Sequence, residues 1–240
     1  MISCRIAGRV FAPRFWPTLM TAAMLFGLIG LGTWQVHRLH WKEGLLAEIA
    51  QRMHEAPVEV DALSDKGDVN YRPATVSGTF LNGHILYLFA ISKTGDGGYH
   101  ILTPLRLHDG RFLLVDRGWI PYDMRRAGDE KFSRPAGPVN VAGILRLPEH
   151  YWIQPDNDPA RNDWYWVDFA AMAKVAGVPA FLPYVLEADA APNPGGYPVG
   201  GQTRVTLPNN HFAYALTWYG LAWALLVIYG MSAFRKGAED

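Results

Sequence analysis

The chain has 240 residues, of which 50% are hydrophobic and 18% are charged, and its 22 basic residues balance its 22 acidic residues. A balanced charge without a basic surface argues against a nucleic acid as the partner. The single cysteine, Cys4, lies near the amino end, so the chain has no internal disulfide and no zinc site built from paired cysteines.

The first apolar segment, residues 15–36, predicts a transmembrane helix because about 20 apolar residues are enough to cross a bilayer. Within it, Ala23, Gly27 and Gly30 are small enough to let a second helix approach closely. A cleaved signal peptide is the alternative, since basic residues precede the segment. The length of the segment and the bulky, polar residues that follow it favour an uncleaved anchor. In both cases the middle of the chain is exported.

Helical spacing continues beyond this segment, because Leu45, Leu46 and Ile49 recur on one face up to about Met53. In the same stretch, Trp34, Arg38 and Trp41 follow each other at spacings of four and three and therefore share a face. Tryptophan beside a basic residue is typical of any membrane helix where it leaves the bilayer.

The part of the chain between the apolar segments, residues 37–207, predicts one mainly antiparallel β domain, either an open sheet or a small barrel. Turn sequences such as Asn82-Gly83 and Asp109-Gly110 separate short runs rich in Val, Ile, Leu, Phe and Tyr. The predicted strands are residues 76–80, 84–89, 99–107, 111–120, 139–147 and 181–187. A short helix is predicted from Asp168, as its cap, to Val175, before Gly177, and residues 148–162 and 192–201 are predicted to form surface loops.

The second apolar segment, residues 209–234, predicts another transmembrane helix. Arg5, Arg9 and Arg14 precede the first segment, whereas Arg235 and Lys236 follow the second. This distribution of basic residues places the tails, residues 1–14 and 235–240, in the cytoplasm. The predicted fold class is therefore a membrane-anchored α+β protein with two transmembrane helices that flank one exported β domain.

Enzyme motifs are missing from the sequence. It contains no phosphate-binding glycine loop before a helix, no nucleophile-elbow serine and no HExxH pair. An enzyme is therefore disfavoured, although residues distant in the sequence could still converge on a site.

The Asp116-Arg117-Gly118-Trp119 sequence ends a strongly apolar strand. Arg117 is a bidentate anion-binding side chain, and the glycine beside it permits a close backbone approach. The alternative is a structural corner in which Arg117 pairs with Asp116 or another carboxylate and Trp119 fills the core.

His211 lies where the second apolar helix begins, and His211, Ala215, Trp218 and Ala222 form one stripe with Tyr214 beside it. The small Ala215 between an imidazole and an indole suggests a slot for a flat ring. A neutral imidazole is also the common protein ligand of haem iron. The alternative is an interfacial histidine that only hydrogen-bonds to the backbone.

Three motifs, in this order, resemble the surfeit locus protein 1 family, whose members are assembly factors for cytochrome c oxidase. They are Gly-x-Trp-Gln-x-x-Arg-x-x-Trp-Lys at residues 32–42, Asp-Arg-Gly-Trp-Ile-Pro at residues 116–121, and Asn-Asn-His-x-x-Tyr-Ala-x-Thr-Trp at residues 209–218. The resemblance covers nearly the whole chain. It implies a protein that is not an enzyme and that sits in the bacterial plasma membrane with its domain in the periplasm.

The resemblance further implies that the protein transiently carries haem a, with His211 as the iron ligand, and assists its insertion into subunit I of the oxidase. The implied partners are subunit I, the membrane lipid and haem a synthase. We expect Tyr214 and Trp218 to pack against the macrocycle, and Arg38, Arg117 or Arg204 to meet the propionates. Two alternatives remain, a cofactor-free scaffold that docks oxidase subunits and an anchored enzyme or sensor with a convergent polar pocket.

Overall fold

The computed structural model describes residues 4–6, 9–11, 13–63, 68–92, 94–126, 133–203, 205 and 209–236. The chain forms two compact units. Met1–Glu48 and Thr206–Asp240 make up a helical unit, and Ile49–Val205 make up a β unit.

The described residues contain four α-helices, a short 3-10 helix at Val60–Ala62 and eleven strands. The helices are α1 (Phe15–Met53), α2 (Tyr122–Arg126), α3 (Phe169–Ala176) and α4 (His211–Ala233). The strands are β1 (Cys4–Ile6), β2 (Arg9–Phe11), β3 (Val58–Glu59), β4 (Pro73–Phe80), β5 (Leu86–Ile91), β6 (Gly97–Leu107), β7 (Phe112–Pro121), β8 (Pro138–Arg146), β9 (Asp163–Trp164), β10 (Val185–Ala188) and β11 (Phe234–Lys236).

Helices α1 and α4 are both long and apolar enough to cross a membrane, by length and composition. The 39 residues of α1 are one continuous helix, as the spacing up to Met53 predicted. At 1.5 Å per residue it is roughly 58 Å long, so it extends well beyond a hydrocarbon core of about 30 Å. Large apolar side chains such as Phe26 and Trp223 are exposed on these helices, which is what lipid contact requires.

The two long helices pair in antiparallel orientation. The hydroxyls of Thr18 and Tyr229 lie 2.6 Å apart, and those of Thr33 and Tyr219 lie 3.1 Å apart. Gly32 makes this approach possible, because a Cβ atom at its position would lie only 2.7 Å from the ring of Tyr219.

The small residues predicted to face the second helix are not the ones that do so. A Cβ atom on Gly27 or Gly30 would meet nothing within 4 Å, and Ala23 is exposed. Because successive residues of a helix are about 100° apart, Gly30 points roughly 200° away from Gly32. The contact face of α1 therefore runs through Thr18 and Gly32.

Short strands on either side of the two long helices lie beside each other. In a three-stranded antiparallel sheet, β2 pairs with β1 on one side and with β11 on the other, and Arg9 lies opposite Lys236. The segments that precede α1 and follow α4 are therefore neighbours, as expected when an even number of spans separates them.

The β unit is built on a closed five-stranded barrel, to which shorter strands are added. The barrel order is β4, β8, β10, β7, β6, and β6 returns to pair with β4 over Gly78–Phe80 and Leu105–Leu107. The β7–β10 pair is parallel and the other barrel pairs are antiparallel. All six predicted strands are present, although the last begins only at Val185.

The long strand β6 makes closure possible because it pairs with two different strands on one edge. Its first part pairs with β5, and its last three residues pair with β4. An irregularity in register between His100 and Leu102 marks the place where β6 bends, as a β-bulge does.

The interior of the barrel is filled by apolar side chains that alternate along the strands. In β4, Ala74, Val76 and Phe80 are buried while the residues between them are more exposed. Strand β7 is buried on both faces, because a second apolar cluster that includes Leu114 and Met172 of α3 covers its outer side.

Helix α3 has both predicted end signals. Asp168 Oδ1 accepts a hydrogen bond from the backbone N–H of Ala171 at 3.0 Å, and Gly177 ends the helix with φ +66°.

Candidate functional site

His211 is the first residue of α4 and contacts a polar side chain of α1. Its Nδ1 lies 2.6 Å from Oε1 of Gln35, and Gln35 is only 8% exposed. Because an amide oxygen only accepts hydrogen bonds, Nδ1 carries the proton and donates it. The lone pair of the neutral imidazole is therefore on Nε2, as in histidines that ligate metals.

From the sequence alone, Gln35 was not predicted to contact His211 or to take part in a site. A buried amide within an apolar helix is a signal for function, and Gln35 stands three residues after Gly32, on the same face of α1. The alternative in which His211 bonds only to the backbone is wrong, because its partner is the Gln35 side chain.

The predicted stripe on α4 is its less exposed side. Ala215 is 4% exposed and Ala222 is also buried, while Trp218 is partly buried. Trp218 Nε1 has no hydrogen-bond partner. Ala215 is thus already covered by protein and does not form an open slot for a flat ring. Tyr214, at 56% exposure, presents the accessible aromatic surface beside His211.

Basic side chains lie near the imidazole. The guanidinium of Arg38 stacks over the ring of Trp41, with its Cζ 4.0 Å from the ring centroid. Arg38 and Lys42 are the charged groups close enough to act electrostatically on His211. The helical unit therefore presents a neutral nitrogen ligand, an exposed aromatic ring and two positive charges, of which Lys42 was not predicted.

Arg117 lies in the β unit, on β7. The structural alternative predicted an ion pair with Asp116 or another carboxylate, and no such pair is found among the described residues. The Asp116 carboxylate accepts hydrogen bonds from His100 Nδ1 and from the backbone N–H of Gly118 at 2.9 Å. The charge of Asp116 is therefore directed away from the guanidinium.

Arg117 is buried, with 4% of its surface exposed. Its Nη2 donates to the backbone oxygen of Ser133 at 2.6 Å, and its Cζ lies 5.0 Å from the Phe80 ring centroid. Nη1 has no hydrogen-bond partner. Burial, and then the charge of Arg134, lower the pKa of Arg117 to about 10, so the group stays protonated at neutral pH.

Gly118 fulfils the prediction of a close backbone approach. It has φ +121°, and a Cβ atom there would lie 2.2 Å from the backbone oxygen of Val199. Trp119 and Val199 exchange two backbone hydrogen bonds of 2.9 Å. Trp119 is buried, as the structural alternative predicted when it placed this side chain in the core.

Asp116, Arg146 and Glu187 border a cavity of about 280 Å³ in the β unit. Arg146 Nε lies 3.6 Å from Glu187 Oε1. Burial and then the charge of Asp116 raise the pKa of Glu187. No Ser, Thr, Cys or Lys is among the described residues that border this cavity. Charged groups thus converge here, but without one of these nucleophiles.

Among the described residues, no group of three or more His, Cys, Asp or Glu side chains is placed to hold a metal ion. Arg204, the third arginine predicted to meet propionates, lies outside the described residues.

Two apolar helices in an antiparallel pair, with a five-stranded barrel between them in the chain, define a class of barrel proteins compatible with a membrane anchor. The chain belongs to the SURF1 family, whose sequence profile matches residues 22–223 and thus includes all three motifs. It is 36% identical to surfeit locus protein 1 of Mus musculus over 239 residues, which cover 92% of this chain and 76% of the mouse protein. It is 34% identical to the Homo sapiens protein of that name, over 86% of this chain and 73% of the human protein. A SURF1-like protein of Monosiga brevicollis is 31% identical over 94% of this chain and 89% of its own length.

Proposed function

We propose that this protein assists the assembly of cytochrome c oxidase by binding haem a through His211 and passing it to subunit I. Membership of the SURF1 family supports the role in oxidase assembly. The hydrogen bond between His211 Nδ1 and Gln35 Oε1 supports the binding of haem, because it leaves Nε2 ready to ligate iron.

The residues around His211 fit a haem. The exposed Tyr214 ring supplies an aromatic contact, and Arg38 and Lys42 carry charges opposite to those of propionates. When bound, haem a would supply the iron that His211 ligates. A single imidazole ligand, held by an uncharged amide, is suited to a carrier that must release its cargo.

The proposed location is the bacterial plasma membrane, with both termini in the cytoplasm and the barrel in the periplasm. The basic residues near both ends support this orientation, as does the pairing of β2 with β11. The relatives named above are from eukaryotes. In the membrane the protein would meet lipid, subunit I and haem a synthase as the source of the haem.

The test is to purify His211→Ala and the neighbouring control Phe212→Ala from cells that make haem a. We expect Phe212→Ala to retain the haem content of the wild type, since Phe212 is exposed and lies next to the ligand. His211→Ala should lose at least nine-tenths of the bound haem, in line with the 10–100-fold effects of disturbing a metal site. Equal haem content in the two variants would disprove the ligand assignment.

The cofactor-free scaffold is supported by a different feature, an exposed apolar tip on the loop after β8. Trp152 is 91% exposed and Ile153 is also exposed, and surfaces of this kind often mark docking sites. If the protein acts as a docking scaffold, Trp152→Ser should lower the amount of assembled oxidase in the cell without changing the haem content of the purified protein.

A further inference from the structure

A second cavity of about 280 Å³ lies in the β unit beside Arg117. Phe80, Val139 and Val141 give it an apolar wall, and Asp189 also borders it. The carboxylate of Asp189 is engaged locally, because Oδ1 accepts a hydrogen bond from the backbone N–H of Ala191 at 3.0 Å. The cavity is thus lined mainly by apolar side chains, and the buried Arg117 supplies a positive charge at its wall.

The guanidinium of Arg117 has more hydrogen-bonding capacity than the fold uses. Such a group has five N–H donors, yet with the described residues the Arg117 side chain makes one hydrogen bond, to Ser133 O, and its Nη1 is buried without a partner there. It forms no ion pair with the acidic residues that the structure describes. A buried cation without a counter-charge is costly, so an anion that enters the cavity would gain a strong interaction.

We propose that this cavity binds a carboxylate carried on a small apolar body. The planar fork of Arg117 matches a carboxylate in bidentate geometry, and Phe80, Val139 and Val141 would contact the apolar part. The charge of Asp189 at the border disfavours a dianion such as phosphate. The Arg117 site is independent of the role proposed for His211, since the two residues lie in different compact units.

The experiment is a titration of the full-length protein in detergent with 3-phenylpropionate, and with 3-phenylpropionamide as the uncharged control. We expect the acid to raise the melting temperature in a saturable way and the amide to leave it unchanged. Arg117→Gln should weaken binding of the acid at least tenfold. Arg161→Gln is the matched control, because the Arg161 side chain is 77% exposed, and it should bind the acid like the wild type.

A second variant keeps the test decisive if Arg117→Gln does not fold. Val141→Phe retains Arg117 but fills part of the cavity, and it should abolish the acid-dependent rise in melting temperature. The absence of a rise in the wild type, or an equal rise in Val141→Phe, would overturn the assignment.

The carboxylate has two candidate sources, a free organic acid and the carboxyl end of a peptide. With either source, Arg117→Gln should lose acid binding and keep its haem. His211→Ala should still bind the acid in both cases, so a failure of the haem proposal can be told apart from a failure at Arg117.

Discussion

At the scale of single residues, the pair of His211 and Gln35 decides the chemistry of the helical unit. The sequence predicted His211 because an imidazole at the end of an apolar helix is rare, but it gave Gln35 no role because only the folded chain brings the two side chains to 2.6 Å. The hydrogen bond to the amide oxygen places the proton on Nδ1 and leaves the lone pair of Nε2 available. Contacts of this kind between distant residues leave no trace in spacing along the chain.

Gln35→Leu should weaken haem binding about 10–100-fold. The variant removes the acceptor of the His211 Nδ1 hydrogen bond, and the imidazole ring is then no longer held in one orientation. Haem titration of the purified variant followed by absorbance measures this effect. Thr33→Val is the control, because it removes the hydroxyl contacts with Tyr219 and with the backbone oxygen of Ile29 but leaves Gln35 in place. Wild-type affinity in Gln35→Leu would show that the amide has no part in ligation.

Glu187 should make the stability of the protein depend on pH. Its folded-state pKa is raised above the ordinary value of 4.5, first by burial and then by Asp116. The folded state therefore binds this proton more tightly than the unfolded state, and the resulting stability is present at low pH and is lost as pH rises through the raised pKa.

Melting temperatures of the wild type and Glu187→Gln, measured in detergent from pH 7.5 down to pH 4.5, test this expectation. The wild type should gain stability relative to Glu187→Gln as the pH falls. A difference that stays constant over this range would contradict the raised pKa.

At the scale of elements, local patterns predicted most of the fold. Alternating apolar residues predicted the six longer strands, and Asp168 and Gly177 predicted both ends of α3. Strands β3 and β9 have only two residues each, too few for a periodic pattern. Closure of the barrel depends on the bend in β6 and on pairing between distant strands, which local pattern does not encode.

The pairing of α1 with α4 should depend on Gly32 and not on Gly30. Gly32→Ile would force a side chain into the ring of Tyr219, and overpacking of this kind costs about 1–3 kcal/mol. Gly30→Ile adds the same side chain where nothing lies within 4 Å. The melting temperature in detergent should fall by several degrees for Gly32→Ile only, and equal falls would place the contact face elsewhere.

At the scale of the whole molecule, the two proposed binding sites lie in different compact units. The helical unit holds His211, Gln35 and Arg38, whereas the β unit holds Arg117 and its cavity. The sequence predicted that two helices flank a β domain because apolar length and strand alternation are both local properties. It could not show that Arg117 has no counter-charge among the described residues, because that depends on Asp116 bonding to His100 and to the backbone of Gly118.

Reporter fusions should place both chain ends on one side of the membrane and the barrel on the other. The proposed orientation predicts that a fluorescent protein fused after Asp240 fluoresces, as it does in the cytoplasm, and that alkaline phosphatase inserted at Gly196 is active, as it is in the periplasm. An inactive phosphatase at Gly196, in a fusion that is stably produced, would contradict the orientation.

The most direct measurement of the central claim is the haem a content of the purified wild-type protein, determined by pyridine extraction beside His211→Ala from the same cells. The account predicts that haem a accompanies the wild type in a defined ratio and is nearly lost from the variant. A wild-type protein that carries no haem a, or a variant that carries as much as the wild type, would contradict it.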